Sequence, residues 1–285
     1  MKITIFGGTG MLGHDLLKAL GDGHEVTSFG SADLDITNLD AVYSQIKINR
    51  PEVVINSAAL TDVDKCELEP DLAFRVNAMG PKNIAIACGE HNVKLVHIST
   101  DYVFDGLKGQ PYTEFDAVNP VNAYGRSKAA GEDFVRSLAR KHAIIRTAWV
   151  FGERRSHFVD YVANSLMKGD EITAVQDMVS SPTYAHDLAE AVIKIALSNE
   201  AGTFHAANKG YCSRVQMVDE IMKIMRKTSR VVVVNQSQWK RPAKRPVFSA
   251  LKNHHMGLVN IDDMPGWRDA LKRYIRTKFN KSAEE

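Results

Sequence analysis

Gly7-Gly8-Thr9-Gly10-Met11-Leu12-Gly13 follows the β-branched run Lys2-Ile3-Thr4-Ile5-Phe6 and opens an amphipathic stretch, so its glycines, spaced G-x-x-G-x-x-G, stand at a strand-to-helix junction. That context gives the spacing its meaning. A side chain at Gly7 or Gly10 would obstruct the tight turn or the approach of backbone to a phosphate, and Gly13 lets the helix lie close to the strand. The free N–H groups of the helix start then face an anion. The stretch predicts a dinucleotide pyrophosphate against Gly7, Gly10, Met11, Leu12 and Gly13. A glycine-rich turn that binds nothing has the same spacing, and the N-terminal strand–helix setting argues against it.

Outward from this turn, short β-branched runs alternate with longer stretches whose apolar residues recur at three- and four-residue spacing. Strands are predicted at 2–6, 25–29, 53–56, 94–99 and 144–147, with helices starting near Met11, Leu39, Leu72 and Ser127. Such βα alternation builds an α/β fold, a Rossmann-type doubly wound parallel sheet. Beyond about Trp149 the pattern is less regular, with helical stretches at 158–168, 186–199, 215–227 and 269–279. The expected division is a dinucleotide-binding domain over 1–150 and a smaller, mainly substrate-binding region over 151–285, with part of 180–210 returning to the first domain. No internal repeat is visible, and 281–285 reads as a frayed tail.

The 285 residues are 44% apolar and 25% charged, the composition of an ordinary folded protein. No apolar run approaches the roughly 20 residues of a membrane span, and Met1-Lys2 leads directly into a strand rather than a signal peptide. A cytoplasmic protein without a membrane partner is expected. Cys66, Cys88 and Cys212 form no C-x-x-C and read as buried thiols. A formal charge of +2 spread over both signs gives no field for gripping a nucleic acid, although Lys240, Arg241, Lys244 and Arg245 form one basic cluster.

The second strand ends Ser28-Phe29-Gly30-Ser31, without the carboxylate that usually bonds the ribose 2'-hydroxyl of NAD. NADPH is therefore the expected cofactor, with NADH admitted. Asp35 and Ile36 follow, and Asp35 is assigned either to the adenine or to capping the helix near Leu39.

Tyr124-Gly125-Arg126-Ser127-Lys128 sets a phenol and an ammonium one helical turn apart on one face. Reducing a ketone with hydride leaves an alkoxide that must gain a proton, and a phenol of ordinary pKa near 10 becomes a better acid beside a cation. The spacing alone is common. Thr100, in Ser99-Thr100-Asp101-Tyr102-Val103-Phe104, lies at the C-terminal end of the fourth strand, where open α/β sheets bind ligands, and its hydroxyl can reach the same carbonyl oxygen.

With these residues the sequence resembles the extended short-chain dehydrogenase/reductases, and among them the dTDP-4-dehydrorhamnose reductases. The likeness covers nearly the whole chain. It runs through the glycine turn, 56–67, Asn77, 99–106, 119–128, 146–151, 176–183, Arg241-Pro242 and Arg245-Pro246. It implies reduction of the 4-keto group of dTDP-4-dehydro-β-L-rhamnose in dTDP-rhamnose biosynthesis, with Thr100, Tyr124 and Lys128 catalytic and the last two also touching the cofactor. It further implies Ala58, Ala59 and Asn77 at the cofactor, and Thr61, Val63, Tyr102, Trp149, Arg241 and Arg245 beside a dTDP-linked 4-keto-6-deoxysugar. Some relatives bind magnesium at a dimer interface, but no ligands for it can be placed here, and the chain is expected as monomer or homodimer. The alternatives are a non-catalytic NADP-binding regulatory subunit, like the partner of methionine adenosyltransferase, and a sugar-nucleotide epimerase or dehydratase using the same Tyr–Lys pair.

Overall fold

Strand β1 (Lys2–Phe6) buries every residue after Lys2, as expected of a strand covered on both faces. The computed structural model describes residues 1–279, and the frayed tail expected at 281–285 lies outside the described residues. Helix α1 (Met11–Leu20) leads to β2 (Glu25–Phe29), and α2 (Leu39–Asn49) to β3 (Val53–Asn56). Next come α3 (Val63–Leu68), α4 (Pro70–Phe74), a π-helical turn (Arg75–Met79), α5 (Gly80–His91) and β4 (Lys94–Thr100). Helix α6 (Ala123–Leu138) and strand β5 (His142–Thr147) complete the first half.

Two helix starts differ from those read off the sequence. The helix expected from Leu72 begins at Pro70, whose missing N–H costs nothing in a first turn. The one expected from Ser127 begins at Ala123, because the Asn122 side chain accepts a hydrogen bond from the Gly125 N–H and caps it. Tyr124 is thereby inside the helix, one turn ahead of Lys128.

The second half contains β6 (Val150–Phe151), α7 (Phe158–Lys168), β7 (Ile172–Val175), β8 (Val179–Ser180), β9 (Thr183–Tyr184), α8 (Ala185–Leu197) and β10 (Gly202–His205). It continues with β11 (Cys212–Ser213), α9 (Arg214–Met225), β12 (Val231–Val234), α10 (His254–Leu258) and α11 (Trp267–Phe279). The main sheet is parallel in the order β10-β5-β4-β3-β1-β2. From β1 the chain winds outward to β2 and then back across to β3, so a crevice opens at the C-terminal ends of β1 and β3.

Alternate strand residues feed two cores, one on each face of the sheet. Ile3, Ile5, Val53, Ile55 and Val96 pack against α1 and α8 through Leu16, Leu188 and Val192. Val54, Leu95 and Ile144 meet Ile84, Cys88 and Val135 on the other face. A third core, with Phe151, Val162, Ile172, Met217, Leu271 and Tyr274, belongs to the second half. Helix α8 and strand β10 return to the main sheet, and so do Met256 and Met264, which the irregular pattern near the C-terminus did not announce. The three cysteines are free and buried. Among the described residues no helix is long and apolar enough to cross a membrane.

Candidate active site

The crevice is a cleft of about 710 Å³ running from the glycine turn to the ends of β4 and β5. Gly7, Gly10, Met11, Leu12, Gly13, Asp35, Ile36, Ala58, Ala59, Thr61, Val63, Thr100, Tyr102, Tyr124, Lys128 and Trp149 all line it. Two glycines are required by the turn itself. Gly7 has φ +90° and a Cβ there would stand 2.5 Å from the Ala58 nitrogen, while a Cβ on Gly13 would stand 2.2 Å from the Gly7 carbonyl oxygen. Gly10 occupies the N-cap of α1 and supplies no side-chain cap, so the first N–H groups of that helix are left for an anion.

At the adenosine side, Phe29, Gly30 and Ser31 line the wall. The Gly30 N–H donates to the Asp33 carboxylate at 2.7 Å. Asp35 accepts from the Thr37 N–H at 2.9 Å, and the cap of α2 is Asn38, which accepts from Ala41. Asp35 is therefore a cleft residue rather than a helix cap.

At the opposite end, Thr100 terminates β4 and caps the 3-10 turn 101–103, accepting from the Tyr102 N–H at 3.2 Å and donating to Asp101 at 3.0 Å. The Tyr124 hydroxyl is within the influence of the Thr100 side chain, which favours its ionised form, and its ring meets Tyr102 edge-on at 5.8 Å. Asp101 is buried, and burial raises its carboxyl to about 6 despite hydrogen bonds from Ser249, Ser180 and Thr100. These serines come from the second half of the chain and fasten it to the end of β4.

Lys128 and the positive nicotinamide of the oxidised cofactor are both expected to make Tyr124 more acidic; of the chain's own groups Lys128 does not, and burial raises the phenol's pKa with the Thr100 side chain pulling against it. Lys128 donates to the Ile98 carbonyl at 2.6 Å instead, and burial lowers its own pKa to about 8, partly offset by the Glu132 carboxylate. A buried phenol without a cation against its oxygen favours its neutral form.

Three residues assigned to ligands lie off the cleft wall. Asn77 is fully buried, accepting from the Leu60 N–H at 2.8 Å and donating to the Leu60 carbonyl and to Ser127. It joins Leu60 to Ser127 of α6. Arg241 and Arg245 are bound to Asp64 at 3.1 and 2.6 Å, and Arg245 holds that carboxyl down at about 2. Among the described residues His186, Asp187 and Glu190 form a group of metal-type side chains, but Asp187 is taken by Arg273 and Asn208. Conversely, Asp101 and Arg155 line the cleft without having been singled out.

The model of the RmlD substrate binding domain family matches residues 1–279. The dTDP-4-dehydrorhamnose reductase of Aggregatibacter actinomycetemcomitans is 37% identical over 95% of this chain and 97% of its own length. The spore coat polysaccharide biosynthesis protein SpsK of Bacillus subtilis is 35% identical over 97% and 98%. Among solved structures, a dTDP-4-dehydrorhamnose reductase from Clostridium acetobutylicum is 44% identical with a TM-score of 0.94, covering 97% of this chain and 99% of that one. The Bacillus anthracis enzyme of that name, solved in complex with NADP, has the same TM-score and coverage at 35% identity. A UDP-glucose 4-epimerase from Thermus thermophilus shares the fold, with a TM-score of 0.85 at 22% identity over 96% and 98%. With the family model matching 1–279 and these relatives alike from end to end, the chain belongs to the RmlD substrate binding domain family.

Proposed function

We propose that this protein reduces the 4-keto group of dTDP-4-dehydro-β-L-rhamnose to dTDP-L-rhamnose with NADPH. The observation that carries this reading is the convergence of Thr100, Tyr124 and Lys128 in the cleft that begins at the uncapped glycine turn. The names of the relatives supply the substrate class. Gly7, Gly10, Met11, Leu12 and Gly13 would hold the pyrophosphate, Asp35 and Ile36 the adenosine half, Ala58 and Ala59 the central stretch, and Lys128 the nicotinamide ribose. When bound, the reduced nicotinamide supplies the hydride.

Everything else falls to this chain's own groups. Thr100 orients the carbonyl oxygen by turning its one hydroxyl hydrogen from Asp101 to that oxygen, and Tyr124 gives that oxygen its proton. Tyr124 is neutral and so has the proton to give, while burial makes it a weaker acid than a free phenol and works against the transfer. Thr61, Val63, Tyr102 and Trp149 border the sugar, and residues 151–285 contribute most of the substrate side.

The test is cofactor consumption. NADPH is expected to disappear mole for mole with added dTDP-4-dehydrorhamnose and to stay constant without it, as read by reduced-nicotinamide absorbance. Flat absorbance with that substrate, or turnover without net consumption, would sink the assignment.

A pH dependence follows from Lys128. Its ammonium is lost above about pH 8 in the free enzyme, so kcat/KM for NADPH is expected to fall as pH rises through that value, approaching about tenfold per unit. Tyr124, pushed up instead, adds no limb there. A profile between pH 6 and 10 checks this, and Lys128→Arg should move the fall to higher pH.

A further inference from the structure

Arg214 has spent almost none of its hydrogen-bonding capacity. Its guanidinium carbon lies 3.5 Å from the centroid of the Trp149 ring and 4.6 Å from that of Phe158, so aromatic rings pack against the flat group. Stacking leaves the in-plane donors unused, and a guanidinium has five of them. The hydrogen-bond contact they make is Nη1 to the Met217 sulfur at 4.0 Å. Among the described residues Arg214 has no carboxylate partner, and Asp101, whose charge acts on it, is already bound by Ser180, Ser249 and Thr100. Arg241 and Arg245, in contrast, share Asp64.

Arg214 stands behind the cleft wall rather than on it, and two neighbours connect this spare cation to the cleft. Trp149 and Tyr102 both line it, and Tyr102 feels Arg214 as well as Arg245. Trp149 also has φ +40°, a left-handed backbone that a bulky residue rarely adopts and that tends to persist where function holds it. A planar fork of donors matches the oxygens of a phosphate better than it matches a sugar or a base.

We propose that Arg214 receives the diphosphate of the nucleotide-linked sugar, with Trp149 and Phe158 holding the guanidinium in place. This rests on the reading of the cleft as a sugar-nucleotide site. Burial lowers the proton affinity of Arg214 to about 10, so it is still a cation at neutral pH. The diphosphate then meets an arginine that need not be released from an internal ion pair.

The test compares dTDP with thymidine, which lacks the diphosphate, by calorimetric titration of NADP-saturated protein. For Arg214→Gln, dTDP binding is expected to weaken roughly 10- to 100-fold, the worth of a charge-assisted bidentate contact, while thymidine binding stays the same. Arg214→Lys should lie between the two. Unchanged dTDP affinity, or an equal loss for dTDP and thymidine, would overturn the proposal. NADPH affinity reports folding, and if Arg214→Gln loses it, the dTDP-to-thymidine ratio of Arg214→Lys decides: a lowered ratio supports the role and an unchanged one overturns it. Failure of the wild-type protein to bind dTDP would overturn the sugar-nucleotide reading and, with it, this inference.

Discussion

Tyr124→Phe is expected to lower kcat about 1000-fold while leaving the dissociation constant of NADPH within about twofold, because general-acid catalysis is typically worth 10²–10⁴ and the phenol is not needed to bind the cofactor. The substitution removes one oxygen and keeps the ring. That ring packs beside Leu60, Cys66 and Ala123 and meets Tyr102 edge-on, contacts that phenylalanine retains. The loss of the hydroxyl beside Thr100 is the polar change, worth at most about 1 kcal/mol. Thermal unfolding should therefore shift little while turnover collapses. Steady-state rates together with fluorescence titration of NADPH separate the two effects. Turnover within about tenfold of wild type would remove Tyr124 from the role of acid, since that is less than the usual contribution of such a group.

How far the sequence could be read depended on how local each signal was. The glycine turn and the Tyr124–Lys128 pair are contiguous motifs whose spacing already implies a turn and a helix face, and both line the cleft. Asn77 gives no such signal, because its function as a bracket depends on Leu60 and Ser127, which only the fold brings to it. Arg241 and Arg245 looked like a spare basic cluster because Asp64, which binds both, is distant in the chain. Arg214 was passed over for the opposite reason: a single arginine at a helix start is unremarked until Trp149 and Phe158 are seen against it. The proton affinity of Tyr124 was misjudged because spacing places Lys128 on the same face but cannot show that its ammonium turns to the Ile98 carbonyl.

Glu132→Gln is expected to destabilise the fold by about 3–5 kcal/mol near pH 7, the cost of leaving a buried charge without its partner. Glu132 lies one turn beyond Lys128, and its carboxylate accepts from Ser99 at 2.6 Å, from Arg146 at 2.9 and 2.7 Å and from the partly exposed Arg136 at 2.5 Å. The Glu132 and Arg146 side chains are only 1% and 3% exposed, so water cannot replace the lost contact. Burial alone would raise this carboxyl, yet Arg146 and the other donors bring it below its ordinary 4.5. A depressed folded-state pKa means the stabilisation is present above about 4.5 and fades as pH falls through the lower value, so wild type and variant should converge in acid. Urea unfolding at pH 7 and again near pH 3 reads both.

The same carboxylate fastens α6, which carries Tyr124 and Lys128, to the strand ends that carry Thr100 and Trp149. Turnover should consequently fall further than NADPH affinity in Glu132→Gln. The charge argument has its own control, because replacing both buried members of an ion pair by apolar residues avoids the unpaired ion. Glu132→Met combined with Arg146→Met should recover much of the lost stability while kcat stays low, since the clasp on Ser99 is still missing. A double variant no more stable than Glu132→Gln would mean that the buried charge is not what the single substitution exposes.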